Sequence, residues 1–145
     1  MFFEIVSFIF TGLFAGVALY ISVVEQPARL ASAPEVALAE WRFSFRRAGI
    51  LQIVLVSVGV SSAIAAYSVG RGVSVLVAGI LLAIVMVWTL VVVMPVNRQL
   101  LDPARTSATP DTDVLLKKWG RLHLIRTIAA LLSLAELGAD IMGFV

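Results

Sequence analysis

Three stretches of this chain carry no charged side chain for 20 residues or more: Ile5–Val24 (20), Ala48–Gly70 (23) and Gly72–Asn97 (26). A helix needs about 20 apolar residues to cross the hydrocarbon core of a bilayer, so each stretch predicts one transmembrane helix. A fourth segment, Leu122–Val145, reaches spanning length only by accepting His123, Arg126, Glu136 and Asp140. Its polar groups are expected to face a bundle interior or the interfaces, since ionisable groups avoid lipid. The prediction is a single all-α domain over 1–145, an integral membrane four-helix bundle with helices at about 3–25, 47–70, 72–97 and 118–143.

Composition closes off the alternatives. With 61% hydrophobic and 14% charged residues, the chain has too little charge to cover a water-facing surface of its size. The balance of 11 basic and 9 acidic residues is far from the basic face that nucleic acid requires. There is no Cys and one His, which leaves no thiolate ligand and no pair of imidazoles. No metal or other cofactor is therefore expected, although a haem held by His123 alone stays open.

The first segment is preceded only by Met1, Phe2, Phe3 and Glu4 and lacks a basic n-region, so it reads as a retained helix. Its Gly12-Leu13-Phe14-Ala15-Gly16 would let another helix approach closely. Nine Lys and Arg residues fall in the first and third connections and one, Arg71, in the second. The positive-inside rule then puts both long loops in the cytoplasm and both termini outside an inner or plasma membrane.

The two halves look alike. One helix exits through Glu25-Gln26-Pro27-Ala28-Arg29, the other through Pro95-Val96-Asn97-Arg98, and each half re-enters past a Trp, Trp41 or Trp119. A two-helix repeat about an axis along the membrane normal would explain this; so would the ordinary preference of Trp and Arg for interfaces.

Trp119, His123 and Arg126 are spaced i, i+4, i+7 and share one helix face. At the same level lie Glu25 and Gln26 at the end of the first helix and Asn97 at the end of the third. The expected site is a cluster at the cytoplasmic mouth, with His123, Arg126 and Asn97 as candidate catalytic groups. Glu25, Gln26, Trp41 and Trp119 are the candidate ligand-binding groups. Glu25 is the expected counter-ion of Arg126, and the two tryptophans would roof the site. At the other end Glu136, Asp140 and Glu4 read as an exposed acidic rim.

With Gly12–Gly16, Tyr20, Glu25-Gln26-Pro27-Ala28-Arg29, Trp41, the Pro95-x-Asn97-Arg98 exit and Trp119-x-x-x-His123-x-x-Arg126, the chain resembles the anthrone-oxygenase-like family of small membrane proteins. The resemblance covers essentially the whole chain. It implies a four-helix layout and, for some members, cofactor-independent conversion of an anthrone to an anthraquinone. On that basis His123 would be the base, with Arg126 and Asn97 stabilising an enolate or phenolate oxygen. Two function classes stand side by side: an accessory or small-hydrophobic-ligand-binding membrane protein, and a cofactor-independent oxygenase. The expected partners are membrane lipids and an aromatic or quinone-like ligand, with a homo-oligomer or partner membrane subunit also open.

Overall fold

The computed structural model describes residues 1–144, which form four long helices and, among those residues, no strand. The helices are α1 (Phe2–Leu30), α2 (Pro34–Ser68), α3 (Val73–Leu101) and α4 (Thr112–Ile141). The first three are long and apolar enough to cross a membrane. The fourth has the length but carries more charge: Asp113, Lys117, Lys118 and Arg121 are exposed near its start, whereas Arg126 is buried. The helices pack as a square: α1 and α3 each touch both α2 and α4 and sit on opposite corners.

The bundle is built with its polarity reversed relative to a soluble protein. Ile5, Ile9, Leu13, Ile53, Ile84, Leu90, Ile128 and Leu132 are exposed on the outside, whereas Thr11, Gln52, Ser62, His123, Arg126, Thr127 and Ser133 are buried. This is the arrangement that lipid on the outside favours. Ser7 donates to the Gly59 carbonyl (2.9 Å) and Ser133 to that of Ala78 (2.8 Å), each joining two helices. Such a bond is worth about 0.6 kcal/mol in membrane bundles.

Sequence and structure differ in three places. First, α2 begins at Pro34 rather than near residue 47, so Arg42, Arg46 and Arg47 are helical and the first connection shrinks to 31–33. Pro34 at the first helical position and Glu35 in the first turn start the helix well before its apolar span begins. Second, the close helix approach is not at Gly12 and Gly16. A Cβ on Gly16 would meet nothing within 4 Å, whereas one on Gly59 would sit 2.8 Å from Leu82 and one on Gly79 2.8 Å from the Ala63 Cβ. Small residues thus bring α2 and α3 together. Third, Glu4 is not part of an exposed rim: it is buried and ion-paired with Arg71 (2.5 Å), tying α1 to the α2–α3 turn.

Both α1 and α3 contain one π turn in the same place. Residues Ile21–Glu25 precede Pro27, and Thr89–Val93 precede Pro95. In each, the residue just before the proline donates five residues back, Gln26 N–H to Ile21 and Met94 N–H to Thr89. A helical proline clashes with the carbonyl four residues earlier and supplies no N–H, and the extra residue of a π turn absorbs that misfit. Each half therefore runs as a helix with a π turn and a proline, followed by a long helix that bears an inward tryptophan.

Candidate functional site

At the end of the bundle that carries the long α3–α4 connection, the two π turns widen the interior into a cavity of about 120 Å³. All four helices line it. Trp41, Gly49, Gln52 and Ile53 come from α2, Phe14 and Ile21 from α1, Thr89, Leu90 and Asn97 from α3, and Trp119, His123 and Arg126 from α4. The structure thus brings together five residues singled out from sequence: Trp41, Asn97, Trp119, His123 and Arg126.

The two tryptophans meet edge to face at 5.8 Å, with Trp41 stacked on Phe45 and Trp119 tilted over His123 at 4.9 Å. The Trp119 indole donates to Asn97 Oδ1 (2.9 Å), which fixes the Trp119 ring.

Four buried polar atoms on this lining have no hydrogen-bond partner among the described residues: Trp41 Nε1, Gln52 Nε2, His123 Nε2 and Arg126 Nε. None of these residues is more than 8% exposed. An unpartnered buried polar atom costs about 1–3 kcal/mol, so four around one cavity mark a site shaped for an occupant rather than for stability.

The His123 ring is oriented from behind. Its Nδ1 lies 3.0 Å from Ser22 Oγ, itself 2.9 Å from Thr127 Oγ1. The Thr127 hydroxyl sits between the carbonyls of His123 (3.0 Å) and Ala18 (3.2 Å) and donates to one of them. Its oxygen then accepts from Ser22, whose oxygen accepts the Nδ1–H. Counting hydrogens this way leaves the lone pair of the neutral ring on Nε2, which has no partner among the described residues.

Arg126 donates to Gln52 Oε1 (2.5 Å) and lies over the Phe14 ring at 5.4 Å. Among the described residues no carboxylate pairs with it. This corrects the expected Glu25–Arg126 pair. Glu25 belongs instead to a network around Arg29, which it contacts at 2.5 Å, together with Glu40, Gln26 Oε1 (2.6 Å) and Ser44. Gln26 also donates to the Leu116 carbonyl (2.8 Å) and packs where Gly120 has no side chain. Glu25 and Gln26 therefore stand beside the cavity, not on its lining.

Arg29 is buried over Trp119 at 5.5 Å and ties α1 to α2. Replacing it by Met strands Glu25 and Glu40. Their side chains keep 23% and 42% exposure, so the expected loss is about 2 kcal/mol, below the 3–5 of a fully buried pair. A thermal midpoint in detergent within 1 °C of wild type would contradict this.

Gln52, Ser22 and Thr127 were not among the residues picked from sequence, and Arg29 entered only as the end of the Glu25–Arg29 exit motif. Gln52 had a usable signal, an amide inside an otherwise apolar span. Ser22 and Thr127 had none, because hydroxyls are unremarkable in membrane helices. Among the described residues there is no group of three or more His, Cys, Asp or Glu placed to hold a metal ion.

No curated protein and no solved structure matches the chain significantly. The sequence model of one family, anthrone oxygenase, matches residues 41–135, which takes in Trp41, Gln52, Asn97, Trp119, His123 and Arg126 of the cavity. With that match extending over more than half of its length, the chain belongs to the anthrone oxygenase family.

Proposed function

We propose that this protein is a membrane-embedded oxygenase that deprotonates a lipophilic anthrone-type aromatic and lets the resulting anion react with dioxygen. The observation that carries the reading is Arg126, a buried guanidinium without a carboxylate, next to a partnerless imidazole nitrogen on the same cavity. A site with one base, one uncompensated cation and two further free donors suits a ligand that arrives neutral and is held as an anion. His123 Nε2 removes a proton from the methylene carbon opposite the ring carbonyl. The electron pair moves to the carbonyl oxygen, where Arg126, Gln52 and Trp41 donate to it. Dioxygen adds at the carbon to give a hydroperoxide, which loses water and leaves the second carbonyl. One dioxygen is consumed and one water released per quinone formed.

The sidedness belongs to the same proposal. Of the ten Lys and Arg residues other than Arg126, nine lie beyond the uncharged runs at the end holding the cavity and one, Arg71, at the other, which favours placing the cavity end in the cytoplasm.

Proteoliposomes given 1,8-dihydroxyanthrone are expected to take up one dioxygen per anthraquinone formed, at a rate at least tenfold above protein-free liposomes. Uptake no faster than in protein-free liposomes overturns the oxygenase reading. Ligand binding without uptake would instead support the accessory, ligand-binding role.

A further inference from the structure

We infer that the cavity is loaded sideways from the bilayer, through the gap between α2 and α3 at Gly49, and that it takes in only one oxygen-bearing end of a fused aromatic. This rests on the reading of the site as a pocket for an aromatic anion.

Size sets the first constraint. A cavity of about 120 Å³ is close to the roughly 150 Å³ apolar cavity that takes up a single benzene ring. A fused tricyclic ligand cannot be enclosed, so part of it must project outward. The lining shows where. Gly49, Ile53 and Leu90 border the cavity, and Ile53 and Leu90 are 62% and 59% exposed on the outer surface of the bundle. A Cβ built on Gly49 meets nothing within 4 Å, so the wall is open there. No charged residue other than Arg126 lines the cavity, and Gly49 lies one residue inside the uncharged run that begins at Ala48. The opening therefore faces acyl chains just below the basic interface marked by Arg46 and Arg47, both exposed. An aromatic with a polar edge sits at that depth in a membrane.

The polar atoms set the second constraint. Trp41 Nε1, Gln52 Nε2, Arg126 Nε and His123 Nε2 are all buried and unpartnered, on residues of α2 and α4 that line the cavity, whereas Ile53 and Leu90 at the opening are exposed. The end of the ligand that enters thus presents its hydroxyl and carbonyl to three donors and the carbon across the ring to the base, while the ring left in the opening touches only apolar side chains and lipid. The site should demand an end with an unmasked hydroxyl and carbonyl and tolerate added rings at the far end.

The test uses hydroxyanthraquinones as product-like probes with the full chain in nanodiscs, read by the red shift of the bound anion's absorbance. Wild-type affinity for 1-hydroxyanthraquinone and for a four-ring homologue extended on the unsubstituted side should agree within about threefold. The 1-methoxy derivative should bind at least a hundredfold more weakly. Gly49→Leu should weaken both hydroxyl probes tenfold or more at an unchanged thermal midpoint. Equal binding of the methyl ether, rejection of the four-ring probe, or a Gly49→Leu variant that binds and turns over normally overturns this inference. The last two outcomes leave oxygen uptake intact. Binding as described with no oxygen uptake would instead sink the oxygenase reading and leave sideways loading standing.

Discussion

Arg126→Met should leave the bundle at least as stable as the wild type while removing its capacity to hold an aromatic anion. The guanidinium is 8% exposed and, among the described residues, pairs with no carboxylate. Removing a buried charge from such a place recovers several kcal/mol of desolvation. Against this stand two losses. Gln52 Oε1 loses its partner, at about 1–3 kcal/mol, and the contact over Phe14 is lost, at about 0.5–2 kcal/mol. The gain matches or exceeds the losses, and methionine fills most of the vacated volume. The thermal midpoint should therefore hold or rise, whereas affinity for a hydroxyanthraquinone anion should fall by two to three orders of magnitude. A midpoint lowered by more than 5 °C would show Arg126 to be structural, and unchanged affinity would remove it from the site. Had Glu25 been its partner, as the sequence suggested, the same substitution would have been strongly destabilising. The ion-pair penalty belongs instead to Arg29, reduced to about 2 kcal/mol by the exposure of Glu25 and Glu40.

The exchange of Arg126 for Arg29 as the partner of Glu25 shows what a one-dimensional reading can and cannot reach. Uncharged runs fix the number of helices, because hydrocarbon imposes length and polarity together. Helical spacing fixes the shared face of Trp119, His123 and Arg126. Pairing across helices depends on azimuth, and here azimuth is set by the π turns before Pro27 and Pro95. One extra residue in a turn rotates everything after it by about 100°. Glu25 closes the first π turn, Gln26 and Arg29 follow it, and all three swing toward α2 and α4, away from the cavity. Asn97 follows the second and swings onto it. Two halves with similar sequence landmarks therefore place different chemistry at corresponding points. One interhelical space is filled by the Gln26–Arg29 network and the other is left open. The prolines were visible; the π turns that they accompany were not. Arg42, counted as a loop charge, instead donates from α2 to the carbonyls of Leu100 (2.9 Å) and Asp102 (2.7 Å) at the end of α3. Its charge answers the negative pole of that helix, a role that loop-charge counting does not represent.

The residue on which the chemistry turns is His123, and its substitution should separate catalysis from folding more sharply than any other. His123→Gln keeps a side chain of similar reach that can accept from or donate to Ser22, and it removes the only lone pair able to take a proton at the cavity. Because Nε2 has no partner in the wild type, no hydrogen bond is lost on that side, and the thermal midpoint should move by less than 2 °C. Dioxygen uptake with 1,8-dihydroxyanthrone should fall by 10²- to 10⁴-fold, the usual worth of a positioned general base. Binding of the hydroxyanthraquinone should weaken far less, since Arg126, Gln52 and Trp41 remain. Thr127→Val supplies the finer test. Without its oxygen, Ser22 is free to donate to Nδ1, the proton shifts to Nε2, and the base becomes a donor. Uptake should then drop about tenfold or more with probe affinity held, because the ring stays in place and only its proton has moved. A Thr127→Val variant with full activity would mean that the hydroxyl chain does not set the tautomer. A His123→Gln variant with full activity would remove His123 from the reaction altogether.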